Sequence, residues 1–241
     1  MVIKNAVLST DYSKSPLVTF NLSDTHLLMR VPPHESTYTP IQAPSNLDIY
    51  APDTYQEKAN LGILSRNLLN YSWNYMFKDL PYNAGTIMVA VTLWKVPIVQ
   101  NKINSLLNPS NLNNIILSFS DSLFRDNNDE LIKQRDPNLD EQLWIYPKQE
   151  EDLHSYNVNG NNWIRYKDGH PSMPRLTYWF SNAITKDHLI NVGINLTGFL
   201  DEQIGSPEGV DTLLERLIQE FFEHFHIQYT PETLAEMELY K

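Results

Sequence analysis

The fold is decided by a stretch whose clearest part is residues 188–198, which read HLINVGINLTG. Apolar residues occupy every second position from Ile190 to Leu196, and polar residues or glycine stand between them. Because side chains alternate across a strand, this pattern predicts an antiparallel strand with one buried face. Residues 176–181 alternate in the same way, and the connector 183–187 is short enough for a hairpin.

An Asn-Gly pair marks a second hairpin upstream. Asn159 and Gly160 separate two candidate strands, residues 154–158 and 163–167. Both turn residues tolerate the positive φ angle that a type I′ turn requires, so the two strands are predicted to pair. Residues 153–198 are therefore predicted to form an antiparallel β-meander.

A long amphipathic helix is predicted to follow the meander. Apolar residues recur at spacings of three and four from Val210 to Phe225, which gives one broad apolar stripe. Ser206 and Pro207 have the preferences of an N-cap and of a first helical residue. Such a stripe must be buried, and we expect the helix to lie across the sheet.

The first half of the chain contains further strand and helix patterns. Residues 17–22 and 26–31 alternate and predict strands, as do residues 3–8 more weakly. Residues 86–96 are apolar on both faces, which predicts a central strand covered on both sides. The capping-box spacing of Thr54 to Glu57, followed by an apolar stripe, predicts a helix over residues 54–75.

Three more helices are expected. Residues 99–107 are predicted as a short helix, and Ser110 is predicted to cap a second one that extends to Leu123. Thr230 before Pro231 predicts a capped C-terminal helix.

The elements together indicate an α+β fold: one or more mostly antiparallel sheets packed with helices, ending in a β-meander and a long amphipathic helix. We predict a single domain over residues 1–241. The strongest candidate for a sub-domain boundary is the acidic segment 126–152.

Composition excludes several classes of function. The net charge of −11 argues against nucleic acid or an anionic membrane surface as partner. No apolar run is long enough for membrane insertion, and the absence of cysteine excludes thiolate metal sites. We expect a cytoplasmic protein, or a periplasmic one if a signal peptide has been removed.

No catalytic or cofactor motif is found, so no cofactor is predicted. Glu220 and His224 share a helix face, but a third metal ligand is missing, and no metal site is predicted. Residues 126–130 are rich in oxygen ligands, yet Leu131 stands where a calcium loop of the EF-hand type requires glycine. These residues are predicted to be a solvated loop.

The acidic segment is the main candidate for a functional surface. Residues 126–152 contain nine acids and three bases, a net charge of −6. We therefore predict a non-enzymatic module that binds a basic protein through an acidic surface, such as an inhibitor or immunity-type protein. The predicted partner-binding residues are Asp126, Asp129, Glu130, Asp136, Asp140, Glu141, Glu150, Glu151, Asp152 and Trp179.

Two alternatives stay open at this point. Trp179 lies opposite the main apolar face of its strand, so either a second layer covers it or it belongs to a binding surface. The second alternative is an enzyme or small-ligand site assembled from distant residues of the 153–188 meander. Its candidate side chains are His154, Asp168, His170 and Arg175.

Overall fold

The computed structural model describes residues 6–134, 142–200, 203–204 and 209–240. The strands in these ranges are β1 (Leu17–Leu22), β2 (Thr25–Arg30), β3 (Ile41–Gln42), β4 (Asn46–Leu47), β5 (Glu57–Lys58), β6 (Leu64–Met76), β7 (Asn83–Lys95), β8 (His154–Val158), β9 (Asn161–Asp168), β10 (Thr177–Ala183), β11 (His188–Gly198) and β12 (Phe225–Gln228). The α-helices are α1 (Pro109–Gln134), α2 (Val210–Glu223) and α3 (Pro231–Met237). None of these helices is long and apolar enough to cross a membrane.

A large antiparallel sheet organises the molecule. Its strands run in the order β3-β6-β7-β11-β10-β9-β8, and β5 also pairs with β6. The central pair, β7 and β11, is in register over eleven residues, from Lys95 opposite His188 to Gly85 opposite Gly198. The sheet contains strands from both sides of the acidic segment, so it is continuous across that segment.

One face of the large sheet is covered by α2 and by a smaller sheet. The smaller sheet has the strand order β12-β2-β1-β4. Side chains from all three layers are fully buried in this first core, among them Val192 of β11, Phe222 of α2 and Phe20 of β1. The prediction that the amphipathic helix lies across the sheet is therefore confirmed, as is the α+β class.

The opposite face of the large sheet is partly covered by α1. Ile115 and Ile116 of α1 pack in a second core with Leu189 of β11 and Ile164 of β9. Residues 86–96 were predicted to be covered on both faces, and β7 does contribute to both cores, although Met88 is 36% exposed. The two faces thus differ in how completely they are covered.

Several local predictions are confirmed. The 188–198 strand is β11, and the hairpin between β8 and β9 turns at Asn159 and Gly160, whose φ angles are 51° and 74°. Thr230 caps α3, since its side chain accepts a hydrogen bond from the Thr233 N–H. Of the predicted strand over residues 3–8, residues 3–5 lie outside the described ranges, and Val7 forms only an isolated bridge with Phe77.

The predicted helix over residues 54–75 is wrong. Thr54 does not cap a helix but donates its hydroxyl hydrogen to the Asp48 carbonyl oxygen, 2.6 Å away. Residues 64–76 form β6, which pairs along β7. A β-bulge between Asn67 and Leu69 interrupts the alternation, and it leaves apolar spacings of three and four that resemble a helix.

The predicted helix over residues 99–107 is also wrong, whereas the helix predicted after Asn108 is present and is longer than expected. Residues 99–107 contain turns, and a single helix begins at Pro109, where the Asn108 side chain accepts from the Ser110 N–H at 3.0 Å. The helix continues to Gln134, so residues 126–130 are helical and not a loop. The predicted cap Ser206 lies outside the described residues, and α2 begins after Gly209.

Candidate functional site

Aromatic contacts join the acidic half of α1 to the segment that follows it. The Phe124 ring stacks on Trp144, with ring centroids 5.0 Å apart, and lies 5.3 Å from the Tyr146 ring. Burial, and after it the carboxylates of Asp121 and Asp129, raise the pKa of Tyr146 above its ordinary value. The acidic side of α1 therefore lies next to Tyr146.

Asn128 fixes the same junction through its side-chain amide. Its Nδ2 donates to the Trp144 carbonyl oxygen at 2.9 Å, and its Oδ1 accepts from the Trp144 N–H at 2.8 Å. The residue is 5% exposed although it stands in a run of polar residues. These two bonds explain why α1 continues through residues that were predicted to be a loop.

A short 3₁₀ turn, Glu150–Asp152, carries three further acids of the segment. The Asp152 carboxylate accepts from the backbone N–H groups of Lys148 and Gln149, at 2.8 and 3.1 Å. Asp152 therefore stabilises its own turn, while Glu150 and Glu151 are exposed. The turn lies just before β8 and beside the outer edge of β9.

A cleft of about 390 Å³ opens at this edge. Pairing between β8 and β9 ends at His154 opposite Arg165, and the next contact on the same edge is Ile145 with Gly169. Among the described residues, 166–168 therefore have no strand neighbour on this side. Because alternate residues of a strand direct their backbone groups to the same edge, Lys167 directs its N–H and C=O into the cleft.

The cleft has charged and aromatic walls. Tyr146, Glu151 and His154 line it together with residues 165–167. Two of the cations in this lining are engaged elsewhere: Arg165 forms an ion pair with Glu215, and the Lys167 ammonium lies 4.3 Å from the Tyr178 ring centre. Glu151 is exposed to solvent.

The predicted partner-binding acids that the structure describes form two groups, one on α1 and one on the turn beside the cleft. Asp126, Asp129 and Glu130 are exposed on α1, and the Asp126 side chain is 92% exposed. Glu151 and Asp152 line the cleft itself. Asp136, Asp140 and Glu141 lie outside the described residues.

Trp179 lies on the α1 side of the large sheet. It is half-buried, packs against the second core, and its Nε1 donates to Asp168 Oδ1 at 2.8 Å. Burial raises the pKa of Asp168 to about 6, although the bond from Trp179 opposes the shift. A Cβ added to Gly193 would lie 2.7 Å from the Trp179 ring, so the indole rests directly on that glycine.

The other meander candidates have separate partners. His170 Nδ1 lies 2.7 Å from the Ser172 hydroxyl, and its ring contacts Trp144. Arg175 donates to the Phe199 carbonyl oxygen at 3.2 Å and forms an ion pair with Asp211 of α2. Of the four residues, only His154 is among those that line the cleft.

The Glu220–His224 pair is also committed to protein contacts. Glu220 Oε1 accepts from Ser9 and from Arg216, and the His224 ring stacks on Tyr12. Within the described ranges, no group of three metal-ligating side chains converges.

Sequence reasoning missed Tyr146, which lines the cleft, and the contacts of Phe124, Asn128 and Trp144 that hold its segment against α1. The sequence signal that points to this segment is the pair of aromatic residues Trp144 and Tyr146 shortly after an acidic stretch. The chain has no match among known family models, curated proteins or solved structures. The site is therefore interpreted from its geometry and chemistry alone.

Proposed function

We propose that this protein binds a basic protein partner, and that the cleft beside β9 receives a cationic side chain of that partner. The observation that carries the proposal is the position of Glu151, exposed in the wall of a cleft that also contains Tyr146 and the open backbone edge at Lys167. An inhibitor of a basic enzyme, of the immunity-protein type, is the concrete form that we favour.

The cleft offers the groups that a lysine or arginine side chain requires. The Lys167 carbonyl and the Glu151 carboxylate are acceptors for N–H donors. The exposed acids of α1 and the net charge of −11 would speed the encounter with a positively charged surface.

Charge-matched variants test this proposal. The first carries Asp126→Asn, Asp129→Asn, Glu130→Gln and Glu151→Gln. The control carries the same number of neutralised acids elsewhere on the surface, at exposed positions: Asp24→Asn, Asp53→Asn, Asp79→Asn and Glu232→Gln. Both variants lose four negative charges, so they differ only in where the charges were.

The readout is quantitative affinity capture from extract of the source organism, followed by titration of the purified pair. We expect a stoichiometric basic protein that the wild type and the control retain and that the first variant binds at least about tenfold more weakly. Raising the salt concentration is expected to release it. Equal retention by all three proteins would contradict the proposal.

A small-ligand or enzyme site is the second candidate, because the cleft volume lies in the range of small-molecule pockets. Thermal-shift screening with metabolites tests it. A compound that raises the melting temperature of the wild type but not that of Tyr146→Ala would favour a small-ligand site over a protein-binding site.

A further inference from the structure

The turn between β8 and β9 is an Asn-Gly pair, and neither residue lines the cleft. Asn159 and Gly160 both have positive φ angles, as a type I′ turn requires, and both are exposed. A Cβ added to Gly160 would meet nothing within 4 Å, so solvent reaches the backbone at this point.

The Asn159 side chain holds the hairpin against the end of α2. Its Nδ2 lies 2.9, 3.1 and 3.0 Å from the carbonyl oxygens of Phe222, Glu223 and Phe225, and its two hydrogens donate to these three acceptors, with one hydrogen shared. The last carbonyls of a helix have no partners within the helix. Asn159 therefore caps α2 and the start of β12 from a turn that is more than sixty residues away in sequence.

We propose that Asn159 is a deamidation site whose reaction is restrained by this three-bond clamp. In an Asn-Gly pair no side chain hinders the glycine nitrogen, which can form a bond to the Asn159 Cγ. The bond from Cγ to Nδ2 breaks, Nδ2 takes up the proton that the Gly160 nitrogen loses and leaves as ammonia, and a succinimide remains. Water then opens the ring to aspartate or isoaspartate, so that one water is consumed and one ammonia released.

The clamp opposes this reaction in the folded protein. The leaving nitrogen is Nδ2, which the three carbonyl oxygens hold against α2. Opening of the hairpin frees the side chain, and the reaction rate then follows how often the hairpin opens.

Conversion removes the clamp permanently. A carboxylate has no N–H to donate, and it brings a negative charge to carbonyl oxygens at the negative end of the helix dipole. The hairpin and the α2–β12 junction then repel each other at that point. Deamidation thus acts as a one-way release of this junction.

The experiment follows deamidation of the full-length protein by peptide mapping in mildly alkaline buffer, in the native state and in urea. We expect conversion at residue 159 to be at least about tenfold slower in the native state. Equal rates would show that the clamp does not restrain the reaction. Absence of conversion in urea would show that Asn159 is not a modification site.

A product mimic tests the consequence separately. Asn159→Asp is expected to lower the melting temperature by about 5 °C and to increase hydrogen exchange over residues 219–228. Asn157→Asp, which adds the same charge to an exposed residue of β8, serves as the control and is expected to leave both unchanged. Unchanged exchange in Asn159→Asp would overturn the release mechanism.

Discussion

The two faces of the large sheet differ although the same strands supply both. Under α2 and the small sheet, β11 contributes Ile190, Val192 and Ile194, all fully buried among apolar neighbours. On the α1 side, the buried residues include Asn191, whose Oδ1 accepts from the Ser181 hydroxyl at 2.7 Å. One face is an apolar core, and the other is a mixed layer with buried hydrogen bonds.

Because of this difference in composition, we expect the two faces to have different roles, one in stability and one in binding. The apolar face excludes water and contains most of the large buried side chains. The mixed face carries Asp168 and Trp179 and adjoins the cleft through Tyr166, which lines it. We expect substitutions on the first face to affect mainly folding, and substitutions towards the cleft to affect mainly binding.

The largest expected effect is on the apolar face. Phe222 is fully buried, and its ring centroid lies 4.5 Å from Phe180 and 5.2 Å from Trp163. Phe222→Ala should lower the free energy of unfolding by about 3–5 kcal/mol because it leaves a cavity. Phe119→Ala, at a half-buried ring on the α1 side, should lower it by about 1–2 kcal/mol. Urea unfolding measures both, and equal losses would contradict the distinction.

Ionised Asp168 is expected to lower the free energy of unfolding above neutral pH. Its folded-state pKa of about 6 lies above its ordinary value of 3.8, so the folded protein binds this proton more tightly than the unfolded chain. The stabilisation that comes from this bound proton is complete below about pH 4 and is lost as the pH rises through about 6. Asp168→Asn should therefore raise the free energy of unfolding by about 2–3 kcal/mol at pH 8 and change it little at pH 4.

Asp187 provides a control with the opposite sign. Burial works against its charge, yet hydrogen bonds with His188 and Thr185 hold the pKa of Asp187 below its ordinary value. Asp187→Asn should therefore destabilise the protein at pH 8, with a loss that shrinks as the pH falls below about 4. Urea unfolding across this pH range measures both variants, and the same sign for both would refute the interpretation.

The junction between α1 and the cleft should depend on Asn128. Asn128→Ala removes both bonds to the Trp144 backbone and should lower the free energy of unfolding by about 2 kcal/mol. Asn127→Ala, at the exposed neighbouring position, should change it by at most about 0.5 kcal/mol. Hydrogen exchange over residues 144–152 should rise only in Asn128→Ala. A rise in both variants would mean that the two bonds of Asn128 are not what holds the junction, because Asn127→Ala leaves them intact and raises helix propensity.

The smallest effect on stability is expected at Glu151. Glu151→Gln should change the free energy of unfolding by less than about 0.5 kcal/mol and weaken binding of the basic partner about tenfold. Glu150 has the same charge on the same exposed turn but does not line the cleft, so Glu150→Gln should weaken binding by no more than about twofold. Titration of the purified pair measures both. Equal losses would indicate general charge attraction without a specific contact in the cleft.

Short-range patterns were sufficient for much of the fold. The alternation in residues 188–198, the Asn159-Gly160 turn and the Thr230 cap each depend on neighbouring residues, and each was predicted from them. A smaller part of the candidate site was accessible in the same way. The acids Glu151 and Asp152 were identified from local charge, whereas their position in a cleft wall was not.

Other features depend on partners that are distant in sequence. Residues 64–76 become a strand because they pair with β7 at twelve positions, and this antiparallel pairing prevails over a helix-like spacing of leucines. Residues 126–134 stay helical because Asn128 meets Trp144, sixteen positions later. A short stretch of sequence does not contain both residues of such a contact.

The sequence by itself determined the class of the fold, the C-terminal meander, the amphipathic helix and the concentration of acids in one segment. Tertiary structure alone decided which acids lie beside a cleft, because the open edge of β9 exists only where its two neighbouring segments stop pairing. Periodicity and charge are properties of consecutive residues. A cleft is produced by long-range packing, which brings together residues that no local pattern relates.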